Sequence, residues 1–449
     1  MANHHNTIFS LDRKDFVLVL PAKPTSSCVL SLSSIDNNPN LQLLSHTVYV
    51  YRSNVDSSND NNHDFTSSCC RQADPASVIR EALSKALVYY YPLAGKLKKN
   101  CAGKLQINCT GDGVPFLVAT SNCDLSSLHY LDGVDAEVTK QFVYDIPSEG
   151  DSGYHPLVFQ LTKFSCGGFT IGMSLSHSLC DGFGAAQFFR ALAELASGKS
   201  EPSVKPVWER ERLVGTPTEE PFQLHVDKTS LAASPYLPTT DLLHECFYVS
   251  GDSINRLKMS LTEECGSENL NESFTTIEAL SAYVWRSRKL LNPPLPDGYY
   301  GNAFTEANVE LMGGEQNEVP LSKVVKLIRD RKKVASKSDY IMHSLGVLER
   351  CREENIKFNG GGASMVLTDW RQLGLLEEVD FGWKGSINII PVPMNMFGYV
   401  DLCMFLPPSN VDPSMKDGVR AFVSLPRAAM EEFKEEMCAL KIGGDSACA

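Results

Sequence analysis

Residues 169–184 read Phe169-Thr170-Ile171-Gly172-Met173-Ser174-Leu175-Ser176-His177-Ser178-Leu179-Cys180-Asp181-Gly182-Phe183-Gly184. Apolar Phe169, Ile171, Met173 and Leu175 alternate with small Thr170, Gly172, Ser174 and Ser176, the period of a β-strand. Gly182 and Gly184 permit a tight turn. Beyond it Ala185, Phe188, Phe189, Leu192 and Leu195 recur at helical spacing as far as Gly198. A strand feeding a helix through a short loop is an α/β signature. His177 falls at the strand end, where side chains project into a crevice.

Outward from this unit, strand-like and helix-like segments keep alternating. Val48 to Tyr51 is a short β-rich run, and the polar stretch 54–68 reads as a surface loop. Asp74-Pro75 supplies an N-cap and a first-turn proline for a helix carrying Val78, Ile79, Ala82, Leu83, Ala86 and Leu87 on one face. That helix stops at Tyr89-Tyr90-Tyr91-Pro92.

From 199 to 240 periodicity vanishes, and prolines recur at 202, 206, 217, 221, 235 and 238. A stretch of that length predicts a crossover between domains, so the expected division is 1–198, 199–240 and 241–449. In the second half Thr275-Thr276-Ile277-Glu278 has the capping-box pattern. Strands are expected at 386–392 and 419–425, with a final amphipathic helix around Lys434. The predicted fold is α/β with mixed β-sheets in two domains joined by a long crossover loop.

Composition narrows the chemistry. The chain has 449 residues, is 43% hydrophobic and carries a formal charge of −13, which disfavours a phosphate backbone as partner. Its 14 cysteines include no Cys-x-x-Cys, which argues against a zinc ribbon or a thioredoxin-type site. Neither a secretory leader nor an apolar run of membrane-span length is seen, so a reduced, cytoplasmic protein without membrane contact is expected. No glycine loop of the Walker or Rossmann type appears, which disfavours ATP or NAD.

His177 has the titration range of a general base, and Asp181 is placed to fix the loop or the ring. Other chemistries fit the same string. His177 and Asp181 as metal ligands lack a third partner, so no metal site is expected. Cys180 as a nucleophile competes with a small buried side chain, and the elbow-like 172–176 lacks its last glycine. A second string, Asp380-Phe381-Gly382-Trp383-Lys384-Gly385, reads as a turn anchored by two aromatic residues.

The His-x-x-x-Asp string at His177 and Asp181 and the string at Asp380 together resemble the plant BAHD acyltransferases, CoA-dependent enzymes. Leu32-Ser33-Ser34-Ile35-Asp36-Asn37, the 90–97 segment and the helix with Glu278, Trp285 and Arg286 are similar to further family segments. Pro206-Val207-Trp208-Glu209-Arg210-Glu211-Arg212-Leu213, 234–238 and 293–302 look like spermidine hydroxycinnamoyltransferases. Relatives of that subgroup include alkaloid O-acyltransferases such as the cocaine-forming benzoyl transferase.

The resemblance implies two acyltransferase-like domains around a channel, acyl-CoA as co-substrate with no permanently bound cofactor, and a monomer acting on an amine or alcohol. It implies His177 as base, Asp181 as loop brace paired with arginine, and Asp380 in a mainly structural role near the CoA channel. Gly382 and Trp383 would then contact CoA, and Thr368 and Trp370 the substrate. The expected product is an aromatic amide of a polyamine. The alternatives are an ester of an alkaloid alcohol or a non-catalytic acyl-CoA binder.

Two departures stand out: Lys384 replaces the usual glycine, and the strand bearing the bracing arginine is missing between Leu291 and Asn292. Arg286 and Arg288 are the candidate substitutes.

Overall fold

The computed structural model describes residues 9–53, 74–133, 136–146, 150–217, 241–264, 295–304, 321–354, 365–371, 373–376, 379–383, 385–392 and 401–441. The capping box at 275–278, Trp285, Arg286, Arg288, the junction at 291–292, Lys384 and the crossover from 218 to 240 lie outside them.

Phe169–Ser176 is a strand, as its alternation predicts, yet all eight of its residues are buried. Its large side chains join the main core beside Tyr49, Phe188 and Phe189. Its small side chains meet the chain around Phe142, so closely that a Cβ on Gly172 would lie 1.9 Å from the Phe142 carbonyl oxygen. Alternation here separates two buried faces of different depth rather than core from water.

The strand lies inside a seven-stranded sheet. The spatial order is Leu11–Arg13, Val114–Ser121, Leu157–Lys163, Phe169–Ser176, Leu44–Tyr51, Asn388–Pro391, with Val17–Val19 also paired to Val114–Ser121. Only the pair Val114–Ser121 and Leu157–Lys163 is parallel, so the sheet is mixed. Asn388–Pro391 belongs to the C-terminal half of the sequence but pairs with the N-terminal strand Leu44–Tyr51, in register Asn388↔Val50 to Pro391↔Thr47. The halves therefore share a sheet.

Helices Pro75–Ala86 and Gly182–Ala196 bury Ile79, Leu83, Phe188 and Phe189 in this core. Each such side chain contributes about 1.5–3 kcal/mol of burial energy. Asp74 precedes the first helix as expected but makes no side-chain cap; its carboxylate pairs with Lys163 at 3.1 Å.

A four-stranded sheet, Leu242–Val249, Val419–Pro426, Asp401–Leu406 and Met365–Asp369, forms the C-terminal body, with its last pair parallel. The final helix, Arg427–Lys441, packs Met430 and Phe433 against it. Buried Arg420 ties this body to the shared sheet by donating to Asn388 Oδ1 at 2.7 Å and to the carbonyls of Pro407 and Ile389. A three-stranded sheet of Cys28–Ser31, Leu105–Cys109 and Lys96–Lys99 completes the N-terminal half.

Candidate active site

After Ser176 the strand turns. Leu179 N–H donates to the Ser176 carbonyl, His177 N–H to the Leu43 carbonyl at 2.9 Å, and Ser178 Oγ to the Leu41 carbonyl at 3.0 Å. His177 is partly buried. Its Nδ1 is the buried ring nitrogen, and Phe304 meets the ring edge-on at 6.3 Å. Burial pushes the imidazole below its ordinary pKa, opposed by its own carbonyl, Asp181, Asn302 and Asp36. At neutral pH the ring is therefore held in its basic, uncharged form.

Asp181 is buried and caps the Gly182–Ala196 helix, its Oδ1 accepting the Gly184 N–H at 3.0 Å. Its Oδ2 accepts the Ala303 N–H at 3.1 Å. Main-chain donors thus hold both oxygens of the carboxylate, at a helix N-terminus that favours negative charge. Asp181→Ala should lower stability by about 0.5–2 kcal/mol, the range for a lost cap, and should lower turnover as well. Chemical unfolding and initial rates measured on one preparation check both.

A buried arginine does sit in this loop, but it comes from the crossover. Arg210 pairs with the buried carboxylate of Asp36 at 2.5 Å and donates to the Leu179 carbonyl at 2.6 Å. Asp36 also accepts from Ser33 N–H at 3.1 Å, Asn302 N–H at 3.1 Å and Asn302 Nδ2 at 2.8 Å. Asn302 Nδ2 in turn donates to the His177 carbonyl at 2.7 Å.

Local pairing explains this convergence. Val207 N–H donates to Gly298 O, and Tyr300 N–H to Val207 O, so the crossover and the 298–300 segment run side by side. Gly298 has φ +81°, and a Cβ there would meet the Lys205 carbonyl oxygen at 2.3 Å, so glycine is required.

Cys180 is buried and donates to the Tyr300 hydroxyl at 3.4 Å, with burial first among the causes that push its thiol up to about 12. A thiol so placed is packing, not a nucleophile.

The Asp380 turn is in a different place. Asp380 is exposed and its Oδ1 accepts the Gly382 N–H at 2.7 Å, with Gly382 at φ +97°. Phe381 packs edge-on to Tyr51 and Phe189, and Trp383 edge-on to Phe169 at 5.2 Å. Phe169 opens the strand that His177 follows, so the turn and the imidazole are about 25 Å apart at a strand's rise of 3.3 Å per residue. Asp380 is not brought to His177, and a direct part in proton transfer does not fit its position.

Thr368 and Trp370 end the strand Met365–Asp369 and the residue after it, both partly buried. Trp370 bridges the main core and the C-terminal cluster, with its N–H on the Phe405 carbonyl at 2.7 Å. Leu373, three residues on, comes within 3.0 Å of a Cβ placed on Gly182. This strand end therefore covers the start of the helix that follows the His177 loop.

Asp36, Arg210 and Asn302 carried no assigned role in the sequence. Their available signal is that each lies in one of the quoted family-like strings. Among the described residues, no group of three or more His, Cys, Asp or Glu side chains could hold a metal ion.

Comparison with known proteins agrees with the motifs. The Transferase family model matches residues 10–290 and 287–440. The chain belongs to this Transferase (BAHD) family.

Among its relatives is the spermidine coumaroyl-CoA acyltransferase of Arabidopsis thaliana, 43% identical, with 98% of each chain covered. The spermidine sinapoyl-CoA acyltransferase of the same plant is 41% identical over 94% of this chain and 96% of its own. The fold is that of vinorine synthase, with a TM-score of 0.70 at 21% identity, covering 96% of this chain and 98% of that one. Family and relatives define an acyl-CoA-dependent acyltransferase, with acyl-CoA as co-substrate.

Proposed function

We propose that this enzyme moves an aromatic acyl group, hydroxycinnamoyl or benzoyl, from acyl-CoA to a polyamine nitrogen such as that of spermidine, with His177 as general base. The observation that carries the chemistry is the partly buried imidazole at a strand end, on a loop braced from three segments of the chain. The two relatives with spermidine in their names support the acceptor.

His177 takes a proton from the acceptor nitrogen as that nitrogen attacks the thioester carbonyl. The tetrahedral intermediate then collapses, the C–S bond breaks, and the CoA thiolate recovers the proton, leaving amide and free CoA. Holding both substrates on one site replaces a solution encounter by an oriented attack. Asp181 fixes the loop. Asp380, Gly382 and Trp383 shape a turn on the CoA side, and Thr368 and Trp370 contact substrate. On the same proposal the enzyme works as a cytoplasmic monomer away from membranes, with domains 1–198 and 241–449 around the crossover. Among the described residues, no helix is long and apolar enough to cross a membrane.

Because the base is the neutral ring, kcat should fall as pH drops through the pKa of His177. Burial lowers that pKa, so the acid limb should inflect below the value of about 6.5 for free imidazole. A limb inflecting above that value would contradict the buried base.

The acceptor is tested by incubating the full chain with coumaroyl-, sinapoyl- or benzoyl-CoA and spermidine, followed by mass spectrometry for the amide. CoA release without acylated polyamine, together with ester formation on a panel of alkaloid alcohols, would move the assignment to O-acyl transfer. CoA-ester binding without any turnover would leave a non-catalytic binder.

A further inference from the structure

The three-stranded sheet sets two cysteines against each other. Cys28 opens the strand Cys28–Ser31, Cys109 closes Leu105–Cys109, and the antiparallel register places them directly opposite. Opposed residues of such a pair lie about 4.5–5.5 Å apart at Cα, with their side chains on one face. A disulfide spans about 4.4–6.8 Å between the same atoms, so the backbone already has the spacing of a bridge. Among the described strands, no other two cysteines stand opposite each other.

The side chains agree with the backbone. Both thiols are free, and they share a hydrogen bond, so the sulfurs are in contact. Cys109 is 2% exposed, whereas Cys28 is only partly buried. Burial, and then the neighbouring Cys28, push the Cys109 thiol up to about 12, so it stays protonated at neutral pH. A reagent in water therefore meets Cys28 first. One accessible sulfur backed by a buried one is the arrangement of an attacking and a resolving thiol.

We infer that Cys28 and Cys109 are a reversible modification site, a dithiol that a small disulfide such as oxidised glutathione closes into a bridge. The Cys28 thiolate attacks one glutathione sulfur, the glutathione S–S bond breaks, and one reduced glutathione leaves with the proton from Cys28. Cys109 then attacks the Cys28 sulfur, its proton passing to the second glutathione as that thiolate departs. The protein loses two electrons and two protons, and the glutathione disulfide gains them. The bridge clips a strand whose Leu105 N–H is held by Asn37 Oδ1 at 2.7 Å, and Asn37 adjoins Asp36, the partner of Arg210. The modification thus lies beside the Arg210 brace and leaves the imidazole untouched.

The test incubates the folded full chain with oxidised glutathione, traps the remaining thiols with N-ethylmaleimide, and maps tryptic peptides by mass spectrometry. A peptide pair joined from Cys28 to Cys109 should appear, lighter than its free members by the two lost hydrogens. Fragmentation separates Cys109 from Cys123, which shares its tryptic peptide. Excess reduced glutathione should return both thiols. In folded Cys28→Ser, the buried Cys109 should carry no glutathione.

Maleimide on both Cys28 and Cys109, or glutathione left on Cys28 with maleimide on Cys109, would overturn the proposal even if Cys28→Ser fails to fold. Bridges confined to other cysteines would do the same. A glutathione adduct on Cys109 in Cys28→Ser would also overturn it, since the buried sulfur would then react without its partner.

Discussion

His177→Ala is expected to lower kcat by about 10²- to 10⁴-fold, the range for a lost general base, while acyl-CoA binds with nearly unchanged affinity. An amine must shed a proton as its lone pair commits to the thioester carbonyl, and no other imidazole shares this loop. Affinity should hold because the His177 ring is fixed by protein contacts, to Phe304 and through the main chain to Asn302 and Leu43. Rapid-quench turnover and calorimetry with a non-transferable acyl-CoA analogue separate the two quantities. A variant turning over within about threefold of the parent would end the base assignment.

The second large effect is on folding. Arg210→Ala should cost about 3–5 kcal/mol, because it strands the Asp36 carboxylate in a buried site. Asp36 is fully buried and Arg210 is 2% exposed, so solvent cannot replace the lost partner. Burial works against the charge on Arg210, yet Asp36 holds its pKa above the ordinary arginine value.

The double variant Arg210→Met with Asp36→Asn should recover much of the loss, since it removes both charges. Urea unfolding of the parent, single and double variants measures the series. A single variant within about 1 kcal/mol of the parent would show that the pair is not the brace described here. Activity should fall with Arg210→Ala as well, because the Leu179 carbonyl loses its 2.6 Å donor between His177 and Asp181.

The two effects differ in how far the sequence exposes them. His177 is legible because a period of two ends on it and a glycine-rich turn follows, a pattern that needs no knowledge of distant residues. Arg210 is not: it sits in a proline-rich stretch without periodicity, where a charged side chain reads as solvated. Its partner Asp36 lies 174 residues away. The main-chain donors on Asp181 show the same limit from the other side: the amides of Gly184 and Ala303 leave no mark in side-chain identity.

What the amino-acid order determined by itself is local: the strand Phe169–Ser176, the helix Gly182–Ala196, the loop between them, and a histidine on that loop whose titration range suits a general base. Those features follow from backbone periodicity and from intrinsic acid–base properties, both of which act over a few residues. Tertiary structure alone decided that a C-terminal strand completes the N-terminal sheet, that the Asp380 turn packs at the far end of the His177 strand, and that three remote polar residues hold the main chain of the His177 loop. Those outcomes depend on which buried donors and acceptors the folded chain must pair, and that is settled only when segments far apart in sequence share one interior.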